Sequence, residues 1–234
     1  MSTETYANPI PVAAAEASER ALFIRRTYMH VALAILGFIG LTSILWRFEP
    51  AVSLASSLTL NPLIFLGLWI GISMLANKMA YSRSSKAVQY GGLALYTVLV
   101  SIMFLPAMMY AHYAPQFVDK AILSKAAFMT LSLFVGLTAV ALVTRKDFSF
   151  LQPILMIGGF IALGLIGCSL IFGLDLGTWF AFAMVIMMAG SILHTTSGML
   201  RQYPADMYVG AALSLFSSIA LMFWYILQIF MNRD

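Results

Sequence analysis

Residues 190–200 read GSILHTTSGML, and they gather an imidazole and four hydroxyls inside a long apolar run. An imidazole can take up or release a proton near neutral pH. Hydroxyls can relay hydrogen bonds or offer neutral ligands to a small ion. Gly190, His194 and Gly198 recur every four residues, with Ser191 and Thr195 one position further round. On a helix that spacing stands His194 between two glycines, where a neighbouring helix can come close. A matching line lies downstream in YVGAALSLFSSIA, where Gly210, Ser214 and Ser218 share one face with Ala211 and Ser217 beside it. Two readings fit. In one, His194 is structural and bonds to a hydroxyl or carbonyl while the small residues pack. In the other, it is a protonation-sensitive contact or one step of an ion path. If the two stripes face each other, Thr195 or His194 should approach Ser214 or Ser218. His30, near the start of the first apolar run, reads as an interfacial residue.

Other chemistries lack their residues. There is no phosphate-binding glycine loop, no GxSxG, no HExxH and no metal-spaced His/Asp/Glu cluster. GSILH lacks the GxSG context of a rhomboid-like serine site. The nine acidic residues all fall in the tail, the loops or the ends of apolar runs, which disfavours an intramembrane aspartyl protease and a carboxylate-driven proton pump. No catalytic residue, metal site or cofactor is therefore expected. The one cysteine, Cys168, excludes an intramolecular disulfide and reads as a small buried packing residue.

The elements that position these groups follow from composition. The chain is 62% hydrophobic and only 9% charged, too little polar surface to coat a soluble domain of 234 residues. An all-α polytopic membrane protein is predicted, because long, evenly apolar runs suit helices and not barrel strands. Seven runs approach the roughly 20 residues a spanning helix needs: Thr27–Trp46, Leu58–Ala76, Ala87–Ala111, Ile122–Val143, Leu151–Phe172, Thr178–Leu200 and Tyr208–Met231. Residues 1–22 read as a flexible polar tail, without the basic and apolar regions of a secretory signal, and 23–234 as the transmembrane domain. Nine basic residues (Arg20, Arg25, Arg26, Lys78, Arg83, Lys86, Arg145, Lys146, Arg201) lie on the side of the tail and four (Arg47, Lys120, Lys125, Arg233) on the other. That asymmetry puts the N-terminus in the cytoplasm and the C-terminus outside. The net charge of +4 thus reads as a topology signal that also favours lipid headgroups; no basic-aromatic surface suggests nucleic acid. Pro106 should kink the third run, and Gly67 and Gly71 form a GxxxG in the second, a signal for close packing within the bundle.

Three stretches resemble the Bax inhibitor-1 family: FIRRTYMHVALAI at the start of the first run, VTRKDFSFLQPIL between the fourth and fifth, and AALSLFSSIALMFWYIL in the last. Their order and spacing extend the likeness from residue 23 to the C-terminus. The TRKDFSF loop, with Arg145, Lys146 and Asp147, and the terminal RD are similar to the bacterial YccA-type branch, whose members are linked to the FtsH membrane protease as modulators. Members acting as pH-sensitive calcium leaks carry an aspartate in each of the last two helices and a basic residue in the second. By that resemblance Thr195 and Ser218 stand at the two acidic positions, and the second run holds no Lys or Arg in its apolar body. A latch of opposed charges cannot form here, and calcium would find no carboxylate in the core.

The resemblance implies a non-enzymatic protein of a bacterial inner membrane that modulates a membrane-bound AAA protease of the FtsH type. The alternative is a carboxylate-free cation or proton leak lined by His194, Thr195 and Ser218, and a third reading is a purely structural membrane protein.

Overall fold

The computed structural model describes residues 16–113 and 121–232, and every regular element in them is helical. The helices are α1 (Ala17–Leu45), α2 (Glu49–Thr59), α3 (Pro62–Ala80), α4 (Lys86–Tyr113), α5 (Ile122–Thr144), α6 (Leu151–Phe172), α7 (Gly177–Arg201) and α8 (Tyr208–Met231). All but α2 are long and apolar enough to cross a membrane. Seven spans were expected, and the fold is the polytopic helical bundle that the composition demands. Most of the predicted tail, together with Lys120 and Arg233, lies outside the described residues. α1 already begins at Ala17, ten residues before the first predicted run.

The element that the hydropathy reading missed is α2. Its eleven residues are too short to span a bilayer. Pro50 sits in its first turn, where a missing N–H costs nothing. Ala51 and Ala55, one turn apart, are its buried residues, and the helix packs on α4 and α3. α3 then starts at Pro62, as Asn61-Pro62 suggested, and runs to Ala80. α4 continues through Pro106 without interruption.

Helix α8 is the axis of the fold. It packs against α1, α3, α4, α5 and α7, and most of its length is buried. Its small residues explain this. In lipid, helices associate through close packing and not through the hydrophobic effect, and Gly210, Ala211, Ala212 and Ala220 let several neighbours approach one helix. α6 is the opposite case. Ala162 is its one buried residue, and it leans on α7 with only slight contact to α3.

The closest helix–helix approach does not involve the GxxxG motif. A Cβ built at Gly92 of α4 would lie 2.6 Å from the Ala76 carbonyl oxygen and 2.7 Å from the Ala80 nitrogen. Ala76 and Ala80, both fully buried, make the small-residue face of α3. A Cβ at Gly67 or Gly71 would meet nothing within 4 Å, so the packing expected there is absent. Cys168 corrects a second expectation. It is free and exposed on α6, because that helix turns nearly all its surface away from the bundle.

Both ends carry aromatic groups suited to the interface. At the far end Trp46 donates from Nε1 to the Tyr113 hydroxyl at 3.2 Å, and Trp179 is exposed. At the end where α1 begins, hereafter the basic end, His30 lies between Tyr90 and Tyr208, with ring centroids 5.4 and 5.3 Å away. The Lys86 ammonium stands 4.6 Å from the Tyr208 ring centroid and donates to the Asp206 carbonyl.

Candidate functional site

The two small-residue stripes do face each other, and the pair α7–α8 is the most extensive interface in the bundle. Its polar contact is between Ser191 and Ser218, whose hydroxyl oxygens are 2.9 Å apart. The Ser218 hydroxyl also reaches the Ser214 carbonyl at 3.0 Å, and Ser217 donates to the same carbonyl at 2.9 Å. Hydroxyls on a helix in lipid commonly bond backward to a carbonyl one turn earlier. Here that bond leaves Ser218 enough freedom to meet α7 as well.

The line continues through Tyr81, which the sequence reading did not single out. Tyr81 follows the last residue of α3, and its hydroxyl shares hydrogen bonds with Ser214 at 2.7 Å and with Tyr203 at 3.1 Å. Its ring lies flat over Gly210, where a built Cβ would stand 2.7 Å away. Burial pushes the Tyr81 hydroxyl well above its ordinary value, so it stays protonated and available as a donor. Ser191, Ser218, Ser214, Tyr81 and Tyr203 thus form one polar thread from the middle of α7 to the basic end. Every atom in it is neutral.

Thr195 is buried on α7, at the position where relatives were expected to hold an acid. His194 turns elsewhere. Its Nδ1 meets the Phe148 carbonyl at 3.2 Å, in the loop between α5 and α6, and not the serines of α8. One turn along the same helix, Ser197 does more for that loop. Its hydroxyl donates to the Lys146 carbonyl at 3.1 Å and accepts from the Phe148 N–H at 3.1 Å. Arg201, another turn on, donates to the Arg145 carbonyl at 2.6 Å. One face of α7 therefore grips Arg145, Lys146 and Phe148 of the TRKDF loop by their backbone.

That grip leaves the loop side chains outward. Arg145, Lys146 and Asp147 are all exposed. Arg145 ends α5 in a left-handed conformation, φ 50, the one described non-glycine residue with positive φ. Such a conformation costs an ordinary side chain of order 1 kcal/mol, and the Arg201 bond holds it in place. Asp147 accepts from the Ser149 N–H at 2.9 Å. This bond and the Ser149 side chain hold its carboxyl below the ordinary carboxylate range, with smaller help from Arg201 and His194.

The grouping expected from sequence is thus divided. Ser191, Ser214 and Ser218 come together in the thread. His194 joins Arg145, Lys146 and Asp147 at the loop. Ser197, Arg201, Tyr81 and Tyr203 are the unforeseen members. For Ser197 and Arg201 a signal existed: with His194 they recur at three and four residues, one helical face that ends at the basic side. A third polar spot lies between α1, α5 and α7, where the Thr138 and Thr196 hydroxyls lie near the Tyr28 hydroxyl but short of full hydrogen-bond geometry. Among the described residues, no three His, Cys, Asp or Glu side chains cluster as a metal site would require.

Seven spanning helices, one of them the buried α8 on which five others pack, with a neutral polar thread inside the bundle and a braced loop at one end, define a polytopic helical membrane protein. Residues 20–234 match the family described as "Inhibitor of apoptosis-promoting Bax1". The chain belongs to that Bax inhibitor-1 family. Similar proteins include Protein LIFEGUARD 4 of Arabidopsis thaliana, 26% identical over 89% of this chain and 83% of its own length. Bax inhibitor 1 of Schizosaccharomyces pombe is 29% identical over 97% of this chain and 83% of its own. Uncharacterized protein PA2604 of Pseudomonas aeruginosa is 37% identical, but over 47% of this chain and 50% of its own length, so the chain spans about half of that relative.

Proposed function

We propose that this protein is a non-enzymatic modulator of a membrane-bound AAA protease of the FtsH type, acting in a bacterial inner membrane as a member of the YccA-type branch. The observation that supports this reading is the braced TRKDF loop. Three α7 side chains hold its backbone while Arg145, Lys146 and Asp147 point outward. A docking segment gains affinity when it is already ordered, because little entropy is lost on binding. The polar N-terminal residues give the protease a second handle.

In-membrane crosslinking from position 146, followed by identification of the partner, tests the loop. Charge reversal by Arg145→Glu with Lys146→Glu should abolish capture of the protease and change turnover of its substrates. Deleting residues 2–19 should alter co-purification or in-cell half-life. If neither change affects capture, half-life or turnover of the protease's substrates, the modulator reading is wrong.

The thread favours a second reading, a proton or small-cation leak, because it places two hydroxyl pairs, Ser191–Ser218 and Ser214–Tyr81, end to end across the Ser214 carbonyl. Vesicles containing the purified protein decide it. Proton and calcium flux no greater than in empty vesicles removes the leak. Flux that Ser218→Ala and Tyr81→Phe abolish would replace the modulator by a conductor.

A further inference from the structure

The far half of the bundle contains a cavity that neither the thread nor the loop uses. It encloses about 560 Å³ between α3, α6, α7 and α8, within the usual range for small-molecule sites. Its floor is aromatic. Trp69 stacks on Phe104 at a centroid distance of 5.7 Å and an interplanar angle of 2°, and Trp224 lies 4.8 Å from the same ring. One wall is Met184, Met187 and Met188, side chains that adapt to the shape of what they meet. The other wall is α6, offering Gly159 and Ala162 where bulk would close the space.

Polarity in this cavity is sorted by depth. Apart from the Tyr225 hydroxyl and the ring N–H groups of Trp69 and Trp224, its polar side chains, Ser169, Asp175, Gln228 and Asn232, belong to the ends of α6 and α8 and to the α6–α7 turn, all at the far end. Asp175 is the one charged residue among the lining side chains. One of its oxygens accepts from the Gly177 N–H at 2.9 Å, which leaves the other for a ligand. The cavity also opens sideways. α3 and α6 touch only slightly, and a second hollow of about 500 Å³, sharing Trp69 and Leu163 with the first, continues along that seam to Ser73 and Asn77. The Ser73 hydroxyl there is buried without a partner.

We propose that this seam and cavity hold one hydrocarbon chain of a bilayer amphiphile whose head is a primary ammonium. The chain enters between α3 and α6 and lies over the Trp69–Phe104–Trp224 stack, and the ammonium sits against Asp175, Gln228 and Asn232. An apolar cavity beside lipid gains dispersion contacts when a chain fills it. A cationic head answers the carboxylate, and two amide side chains accept its remaining hydrogens. α6, anchored through little buried surface, is the wall that yields to admit it.

The test uses the full chain in nanodiscs doped with phosphatidylethanolamine carrying a diazirine near the end of one acyl tail, or with phosphatidylglycerol of identical tails. After irradiation, peptides from Phe65–Trp69 and Gly159–Ile166 should carry the label, with the ammonium-headed probe ahead by about tenfold, the effect of one charge-assisted contact. Asp175→Asn should erase that preference while tail labelling continues. Gly159→Phe, whose new side chain meets no neighbour at its Cβ, should lower labelling of the α3 peptide by about tenfold without lowering the thermal midpoint. Labelling spread evenly over all lipid-facing helices, equal labelling by both probes, or indifference to both variants overturns the proposal. So does crosslinking of the seam to a second copy of the chain.

Discussion

The ring of Tyr81 lies against the bare backbone of Gly210, so close that a methyl group there would stand 2.7 Å from the ring. This contact seats the end of α3 on the first turn of α8 and aims the Tyr81 hydroxyl at Ser214. Gly210→Ala must push the ring away and break the thread at its centre. The expected loss is about 2–3 kcal/mol, the range for overpacking a tight core. Tyr81→Phe keeps the ring and removes only the hydroxyl, at about 1–2 kcal/mol, because Ser214 and Tyr203 each lose a partner. Thermal unfolding in a fixed detergent orders the three proteins; Gly210→Ala as stable as the natural chain would show that the ring moves freely.

A glycine contrast tests the packing of α3. Gly92→Ala places a Cβ 2.6 Å from a backbone oxygen of Ala76, and rigid backbone on both sides cannot yield cheaply. We expect a loss of about 3 kcal/mol or failure to assemble. Gly67→Ala and Gly71→Ala point into open space and should be neutral or stabilise by up to about 1 kcal/mol, the helix-propensity gain of alanine over glycine. Equal effects at all three positions would refute the close approach of α3 and α4.

Adjacent hydroxyls on α7 should behave in opposite ways. Ser197→Ala takes both a donor and an acceptor from the TRKDF loop, and the loop should open more often. Trypsin, which cuts after Arg145 and Lys146, should nick it about tenfold faster, as expected for about 1.4 kcal/mol of local stability. Thr196→Val removes a buried hydroxyl that meets the Tyr28 hydroxyl short of full hydrogen-bond geometry and keeps the shape. Its thermal midpoint should stay equal or rise. A large drop would mean that the Thr196 hydroxyl is bonded after all.

Asp147 predicts a pH range. Its carboxyl is held below the ordinary carboxylate value by the Ser149 N–H. The turn it caps is therefore fully supported above about pH 4, the ordinary aspartate value, and weakens only as pH falls through the depressed one. Amide exchange at Ser149, corrected for intrinsic rates, should stay flat from pH 7.5 to pH 5. Ser149 exchange that changes within that window would show that the Asp147 carboxyl does not govern the turn.

Much of this architecture can be read from the chain before any coordinates. Seven apolar runs became seven spans, because length and hydropathy alone decide which helices a bilayer accepts. Leu58–Ala76 slid to Pro62–Ala80 since a short helix, Glu49–Thr59, used the residues before Asn61. Nothing in its eleven residues marks it as separate, apart from Pro50 and two buried alanines. The packing of α7 on α8 was legible because both stripes share one spacing, but the pair expected to meet was Thr195 or His194 with Ser214 or Ser218, and Ser191 takes that place. The turn of His194 toward Phe148 was not legible, since periodicity gives the side of a helix but not which neighbour occupies it. GLWIG looked like the packing face of α3, yet Ala76 and Ala80 hold that role, because alanine pairs at the same spacing rarely stand out in an apolar run. The far cavity has no local signature at all. Its walls come from segments more than a hundred residues apart.

Burial of α8 has a consequence for biosynthesis. Of the described helices it is the last to leave the ribosome, and five others pack on it. Until it arrives, α1, α3, α4, α5 and α7 have no common partner, and Tyr81 waits without Ser214. The bundle of described helices therefore closes only when α8 arrives. A product that stops before Tyr208 has spans but no centre, and membrane quality control would recognise it by those unclosed surfaces.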